Sequence, residues 1–237
     1  MNLLLQKPKK ISTLGILAYY NPVRQIVEAQ QGQQLLDYSG LGNHANLGST
    51  GDSDNNDPTW ESNDLNYDTD DYTSHPLGIF NPTSGTFEVV MNPVSNYGGL
   101  RVLGSDHSAG TSSEIRTFAN ATVLFGLTLF NGTTSAIANA SLVYGSNLIY
   151  TCSWHYNGVS TIMRSYLNGN PKNVVNLLGQ AVAPDIALYM GYWPGTSYSR
   201  FKLYRSLFYG RQLSAPEIWD NYVAHKRELK VNGVILT

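Results

Sequence analysis

A chain of 237 residues with only 14% charged residues and a formal charge of −2 lacks the basic footprint of a nucleic-acid binder. Its 16 tyrosines and 22 glycines suit an all-β protein, in which aromatic residues fill strands and glycines close turns. Cys152 is the single cysteine, which excludes an intramolecular disulfide, so packing must stabilise a chain long enough for one large sandwich.

Residues 1–12 read as an N-terminal arm, since Lys7, Lys9 and Lys10 around Pro8 suit no core. Its leucines precede the lysines, the reverse of the order in a secretory signal. No apolar run is long enough to span a bilayer. Synthesis in a cytoplasm is therefore expected.

Residues 15–20 predict the first core strand, ended by Asn21 and Pro22, and residues 23–29 predict a helical turn. Asp37, Ser39, Gly40, Gly42 and Asn43 predict a turn braced by side-chain to backbone bonds, with the glycines at positive φ. Residues 49–64 predict a long solvated loop. Asp52, Asp54 and Asp57 there lack the central glycine and closing glutamate of an EF-hand. Trp60 is expected in the core. Asp68, Asp70 and Asp71 are the candidate metal ligands, because three carboxylates in four positions repel unless solvated or bound to a cation.

Residues 85–93 predict a strand ended by Pro93. Short strands follow over 100–103, 115–118, 122–130 and 135–137. Residues 148–156 and 162–167 predict two longer strands, and Asn168 with Gly169 predicts a tight turn into 174–178. A strand over 186–190 ends at Gly191. The loop beyond holds Tyr192, Trp193 and Tyr198, the candidate carbohydrate-binding residues, since an exposed indole can stack on the C–H face of a sugar. Residues 201–209 predict an aromatic-rich strand in which Phe201, Leu203, Leu207 and Tyr209 share one parity and Arg205 interrupts them. Ser214, Pro216 and Glu217 predict a capped helix start, with Ile218, Trp219, Tyr222 and Val223 on the buried face. Trp154 and Trp219 are expected in core and helix docking. Residues 226–237 read as a C-terminal tail, with Val231 to Leu236 able to add a strand to another surface.

No catalytic residue is expected. Glu28, Glu61, Glu88, Glu114, Glu217 and Glu228 are scattered, whereas glycoside hydrolysis uses paired carboxylates. The histidines show no metal-ligand spacing. No nucleophile elbow or phosphate loop occurs.

Four segments, at 37–47, 65–72, 148–169 and 209–218, stand in the order and spacing of one known family. They resemble the LamG-like jelly-roll domains of the concanavalin A-like lectin/glucanase superfamily. The resemblance covers about residues 13–225. It implies an all-β jelly-roll β-sandwich with one short C-terminal helix. Two departures matter. Thr69 stands where the family usually has glycine. Tyr204 and Arg205 stand where many relatives carry Asp and Glu beside a structural Ca²⁺, which argues against that site. No cofactor is expected, with Ca²⁺ the weaker alternative.

The ending Leu213, Ser214, Glu217, Ile218, Asn221, Tyr222, Ala224 and Lys226 is similar to that of LamG-like domains in bacteriophage structural proteins. This implies a non-enzymatic virion structural protein, a capsid decoration or tail-associated subunit, made in the host cytoplasm. Its expected partners are other virion proteins, host-surface glycans and further copies of itself, with no nucleic acid and no membrane. The alternative is a carbohydrate-binding module of a secreted or surface protein. A degenerate glycosidase is the third reading.

Overall fold

In the computed structural model, residues 9–48, 52–68, 70–95, 100–106, 116–119, 124–184, 187–191 and 200–236 are described. Alternating apolar residues and glycine-closed turns set out a chain of short strands. They begin with β1 (Ile16–Tyr20), α1 (Pro22–Val27), β2 (Gln34–Leu35), β3 (Ala45–Leu47), β4 (Thr59–Trp60), β5 (Leu65–Tyr67) and β6 (Thr73–His75). Next come β7 (Ser84–Ser95), β8 (Leu100–Arg101), β9 (Gly104–Asp106), β10 (Arg116–Ala119), β11 (Leu124–Phe130) and β12 (Ser135–Ser141). The last are β13 (Leu148–Tyr156), β14 (Ser160–Leu167), β15 (Asn170–Leu178), β16 (Ala187–Met190), β17 (Arg200–Tyr209) and α2 (Ala215–Val231).

The strands pair antiparallel in three sheets among the described residues. The largest runs β15-β14-β13-β7-β17-β5-β4, with β1 also on β17. The others run β12-β11-β10-β8 and β2-β3-β6-β16-β9. The main core joins residues of the large sheet (Phe87, Val89, Met91, Tyr150, Cys152, Trp154, Met163) to residues of the smaller ones (Leu47, Leu127, Ala138, Leu188). Tyr150 ties two sheets across this core, accepting from Leu127 N–H and donating to the Ala138 carbonyl. The result is the expected all-β sandwich. Trp154 is buried as expected, its indole N–H donating to Asn81 O at 2.9 Å.

Local turn chemistry follows the sequence. Asp37 accepts from the backbone of Tyr19, Ser39 and Asn43 and from the Ser39 hydroxyl, so it braces the turn. Gly40 and Gly42 adopt φ of 88° and 74°, which a side chain would oppose. Strand β7 runs past Pro93, which sits opposite Phe201 with a register shift beside it.

Strand β17 departs from simple alternation. Its register against β7 shifts between Leu203 and Arg205. Phe201 and Leu203 point into the main core before the shift, and Phe208 does so after it. Leu207 and Tyr209 therefore face the opposite side, with Leu213 and Ile218. The bulge turns Arg205 outward with them, which resolves the interruption in the apolar pattern.

Helix α2 covers that outer face. Glu217 anchors its start, accepting from Ser214 N–H at 2.9 Å and from Arg211 Nη2 at 2.6 Å. The buried positions are Ile218, Asn221, Ala224, His225 and Leu229. Trp219 is 46% exposed, so it is not the docking residue expected. It lies over the β14–β15 turn, where a Cβ on Gly169 would come within 2.9 Å of its ring. The helix continues through the expected boundary at residue 225. Val234 and Leu236 then return to the sheet beside Val90, Ile149 and Tyr204, rather than projecting as a strand-forming tail. Burial of Leu229 and these two residues explains the extension. At the other terminus, Ser12 N–H donates to Asn221 Oδ1 at 2.8 Å, and Lys9 Nζ lies 2.9 Å from Asp220 Oδ1.

Candidate functional site

Beneath α2 the outer sheet face is polar where a core is normally apolar. Glu88 of β7 and His225 of α2 are both fully buried. A buried carboxylate requires donors, and the surrounding elements supply them. Glu88 Oε1 lies 2.7 Å from His225 Nε2, and Oε2 accepts from the Thr151 hydroxyl at 3.0 Å. Asn221 Nδ2 adds a longer bond to Glu88 at 3.4 Å. On the other side of the imidazole, Arg205 Nη1 is 3.0 Å from His225 Nδ1. A guanidinium only donates, so Nδ1 accepts and Nε2–H points at Glu88. Arg205 Nη1 also donates to Glu228 Oε2 at 2.9 Å. A chain of charged and polar groups thus runs from the sheet to the surface.

It ends at a cleft. A cavity of about 520 Å³ opens between β1, α1, β17 and α2. Arg205, Glu228, Asn21 and Asn232 supply its polar floor. Asn21 is fixed twice: Oδ1 caps α1 through Arg24 N–H at 3.0 Å, and Nδ2 donates to the Tyr19 hydroxyl at 2.9 Å. Arg24 and Glu28 pair at 2.7 Å on the rim. Burial raises the Tyr19 phenol above its ordinary range, against the smaller opposing pull of Arg205. The hydrogen bond from Arg24 chiefly lowers the Glu28 carboxyl. No residue of this cleft is among the candidates from the sequence. The signals were Arg205 in an apolar strand and Glu88 in another, separated in sequence from the helix that completes the arrangement.

The acidic turn is held by a hydrogen bond within it and an ion pair. Asp71 is buried and accepts from Asp68 N–H through Oδ2 at 2.7 Å. Asp68 Oδ1 lies 2.7 Å from Arg200 Nε. Asp70 is exposed on the same turn. Among the described residues, no three His, Cys, Asp or Glu side chains converge as metal ligands. Tyr192, Trp193 and Tyr198 lie outside the described residues; Gly191, at the end of β16, donates to Val102 O at 3.2 Å.

No family model and no curated protein matches the sequence. Solved structures do match. Trypanosoma rangeli sialidase aligns with TM-score 0.67 and 14% identity over 91% of this chain and 33% of its own. The botulinum neurotoxin serotype D binding domain aligns with TM-score 0.65 and 12% identity over 89% of this chain and 52% of its own. The fold is a β-sandwich shared with parts of these structures. The chain spans about a third of the sialidase and about half of the toxin domain, and identities this low establish the fold alone. Among the described residues, no helix is long and apolar enough to cross a membrane.

Proposed function

We propose that this chain is a non-enzymatic, carbohydrate-recognising module of lectin-like fold, and that it serves as a structural subunit of a virion, on the capsid or the tail. The observation that carries the non-enzymatic reading is the use made of its glutamates. Glu28 is bound by Arg24, Glu61 by Lys202, Glu88 by His225 and Thr151, Glu217 by Arg211 and Ser214, and Glu228 by Arg205. Glycoside hydrolysis needs two carboxylates across one bond, one of them protonated. Here each described glutamate is instead engaged by a basic side chain, a histidine ring or a helix start.

Carbohydrate as the ligand is supported by the fold likeness, which includes a sialidase in complex with sialic acid, at TM-score 0.65. The virion as the setting is supported by the resemblance of the Leu213 to Lys226 ending. In this chain Leu213, Ile218, Asn221 and Ala224 of that ending are buried, so it speaks first for the fold. Ca²⁺ has no assigned role in this reading.

A glycan array tests the ligand. Binding by the full chain that weakens by about tenfold or more on Trp193→Ala is the expected outcome, a loss of about 1.4 kcal/mol. Silence across a broad array overturns the carbohydrate reading. Mass spectrometry of purified native particles tests the setting. Recovery in fixed stoichiometry with a capsid or tail protein is expected. Recovery only as a free protein overturns the virion reading and leaves the carbohydrate-binding module of a secreted or surface protein.

A further inference from the structure

We propose that the cleft between α1 and α2 is a binding site for a neutral, hydroxyl-rich ligand, a mono- or disaccharide, in addition to the Trp193 candidate. The inference rests on the carbohydrate reading and adds a second site to it.

The first observation is an unsatisfied donor. Arg205 is only 3% exposed, and its Nε finds no acceptor among the described residues. Buried donors are normally paired, so this spare N–H, on a residue that lines the cavity, leaves the guanidinium one acceptor short. Its Nη1 is already committed to Glu228 and His225, which fix the plane of the group. The site is therefore preorganised before anything binds.

Charge then selects the class of ligand. Two lining cations, Arg24 and Arg205, are matched by two lining carboxylates, Glu28 and Glu228. An anion drawn to Arg205 meets the Glu228 carboxylate beside it, and a cation drawn to Glu228 meets Arg205. A hydroxyl both donates and accepts, so vicinal hydroxyls can face the guanidinium and the carboxylate together without net charge. The amides of Asn21 and Asn232 extend that mixed floor.

The walls fit the remaining surface of such a ligand. Val23, Val27 and Val231 offer aliphatic contact to ring C–H groups. Val27 and Val231 are 70% and 83% exposed on facing helices, where isolated apolar side chains gain nothing from the fold itself. The cavity of about 520 Å³ falls within the size range of small-ligand sites, about 300–1,000 Å³.

The test is methyl NMR titration of the full chain carrying Trp193→Ala, which removes the loop contribution. Lactose, cellobiose and maltose are the neutral probes, and sialyllactose is the anionic comparison. We expect a neutral sugar to shift the methyls of Val23, Val27 and Val231. We also expect either Val27→Trp or Val231→Trp to reduce the affinity by at least tenfold. Both positions are exposed, and an unchanged thermal midpoint confirms folding. Methyls that stay still while the array shows Trp193-dependent binding overturn the cleft and leave the carbohydrate reading intact. Absence of any glycan binding by the native chain overturns both. Tighter binding of sialyllactose than of lactose, mapped to these valines, overturns the assignment of a neutral ligand.

Discussion

Two carboxylates with opposite environments make the residue scale testable. Asp71 has its carboxyl pushed up from 3.8 to about 6, first by burial and then by the charges of Asp70, Asp68 and Asp57. A raised carboxyl contributes stability below its unfolded value and loses it as pH rises through the folded value. Asp71 therefore weakens the fold progressively between about pH 3.8 and 6. Asp71→Asn keeps an oxygen for the Asp68 N–H and removes the ionisation. It should raise stability above pH 6, by about 3 kcal/mol at most, and have little effect near pH 4. Denaturant melts at the two pH values check this. Addition of Ca²⁺ should leave the wild-type melt unchanged, because Arg200 already faces Asp68. A Ca²⁺-dependent rise that Asp71→Asn abolishes would instead mark the turn as a cation site. Glu217 carries the opposite sign. The hydrogen bond from Arg211, followed by those from Ser214, lowers it from 4.5 to about 2. Its contribution is complete above about pH 4.5 and is lost as pH falls through about 2. Glu217→Gln should flatten the acid limb of the stability profile over that window. An unchanged acid limb would remove the Arg211–Glu217 pair from the account of helix anchoring.

At the scale of elements, helix α2 is docked by polar groups as much as by apolar ones. His225 stands between Glu88 and Arg205, and loss of its ring leaves a buried carboxylate short of a donor. Breaking one partner of a buried charged network costs about 3–5 kcal/mol, whereas replacing both by apolar residues is often near neutral. His225→Ala should therefore lower unfolding free energy by about that amount. The double variant Glu88→Leu with His225→Leu should recover part of it. A His225→Ala loss below about 1 kcal/mol, the scale of an exposed pair, would show that the network contributes little to docking. This interface is also where the sequence was hardest to read. The Ser214 and Glu217 signal is local and marks the helix start correctly. Apolar periodicity alone predicts Ile218, Trp219, Tyr222 and Val223 on the buried face; Ile218 is buried there, whereas Trp219 is exposed. The real determinant of that face, the need of Glu88 for donors, comes from a strand more than a hundred residues away. The β17 bulge had the same effect, reversing the faces after Leu203, which strict alternation does not anticipate.

For the whole molecule, what was legible is what short-range chemistry determines. The Asn168–Gly169 turn adopts φ of 51° and 75°, as a tight hairpin between β14 and β15 requires. Enough such turns, with alternating apolar strands, define a sandwich. The cleft was not legible, since it joins residues from both ends of the chain that carry no shared motif. A sandwich closed over one core, with no disulfide, should also open cooperatively, and Cys152 reports on this. It lies on β13 between β7 and β14, fully buried. Burial pushes its thiol up to about 12, so thiolate is scarce even when a reagent is present. Labelling by an aromatic disulfide reagent should be negligible in the native protein. As denaturant is added, the labelling rate should rise with the same dependence as global unfolding, because these central strands must separate first. A rate nearly independent of denaturant would mean that β13 is exposed by a local opening. The large sheet would then consist of separable units, and the outer face held by α2 would not share its stability with the core.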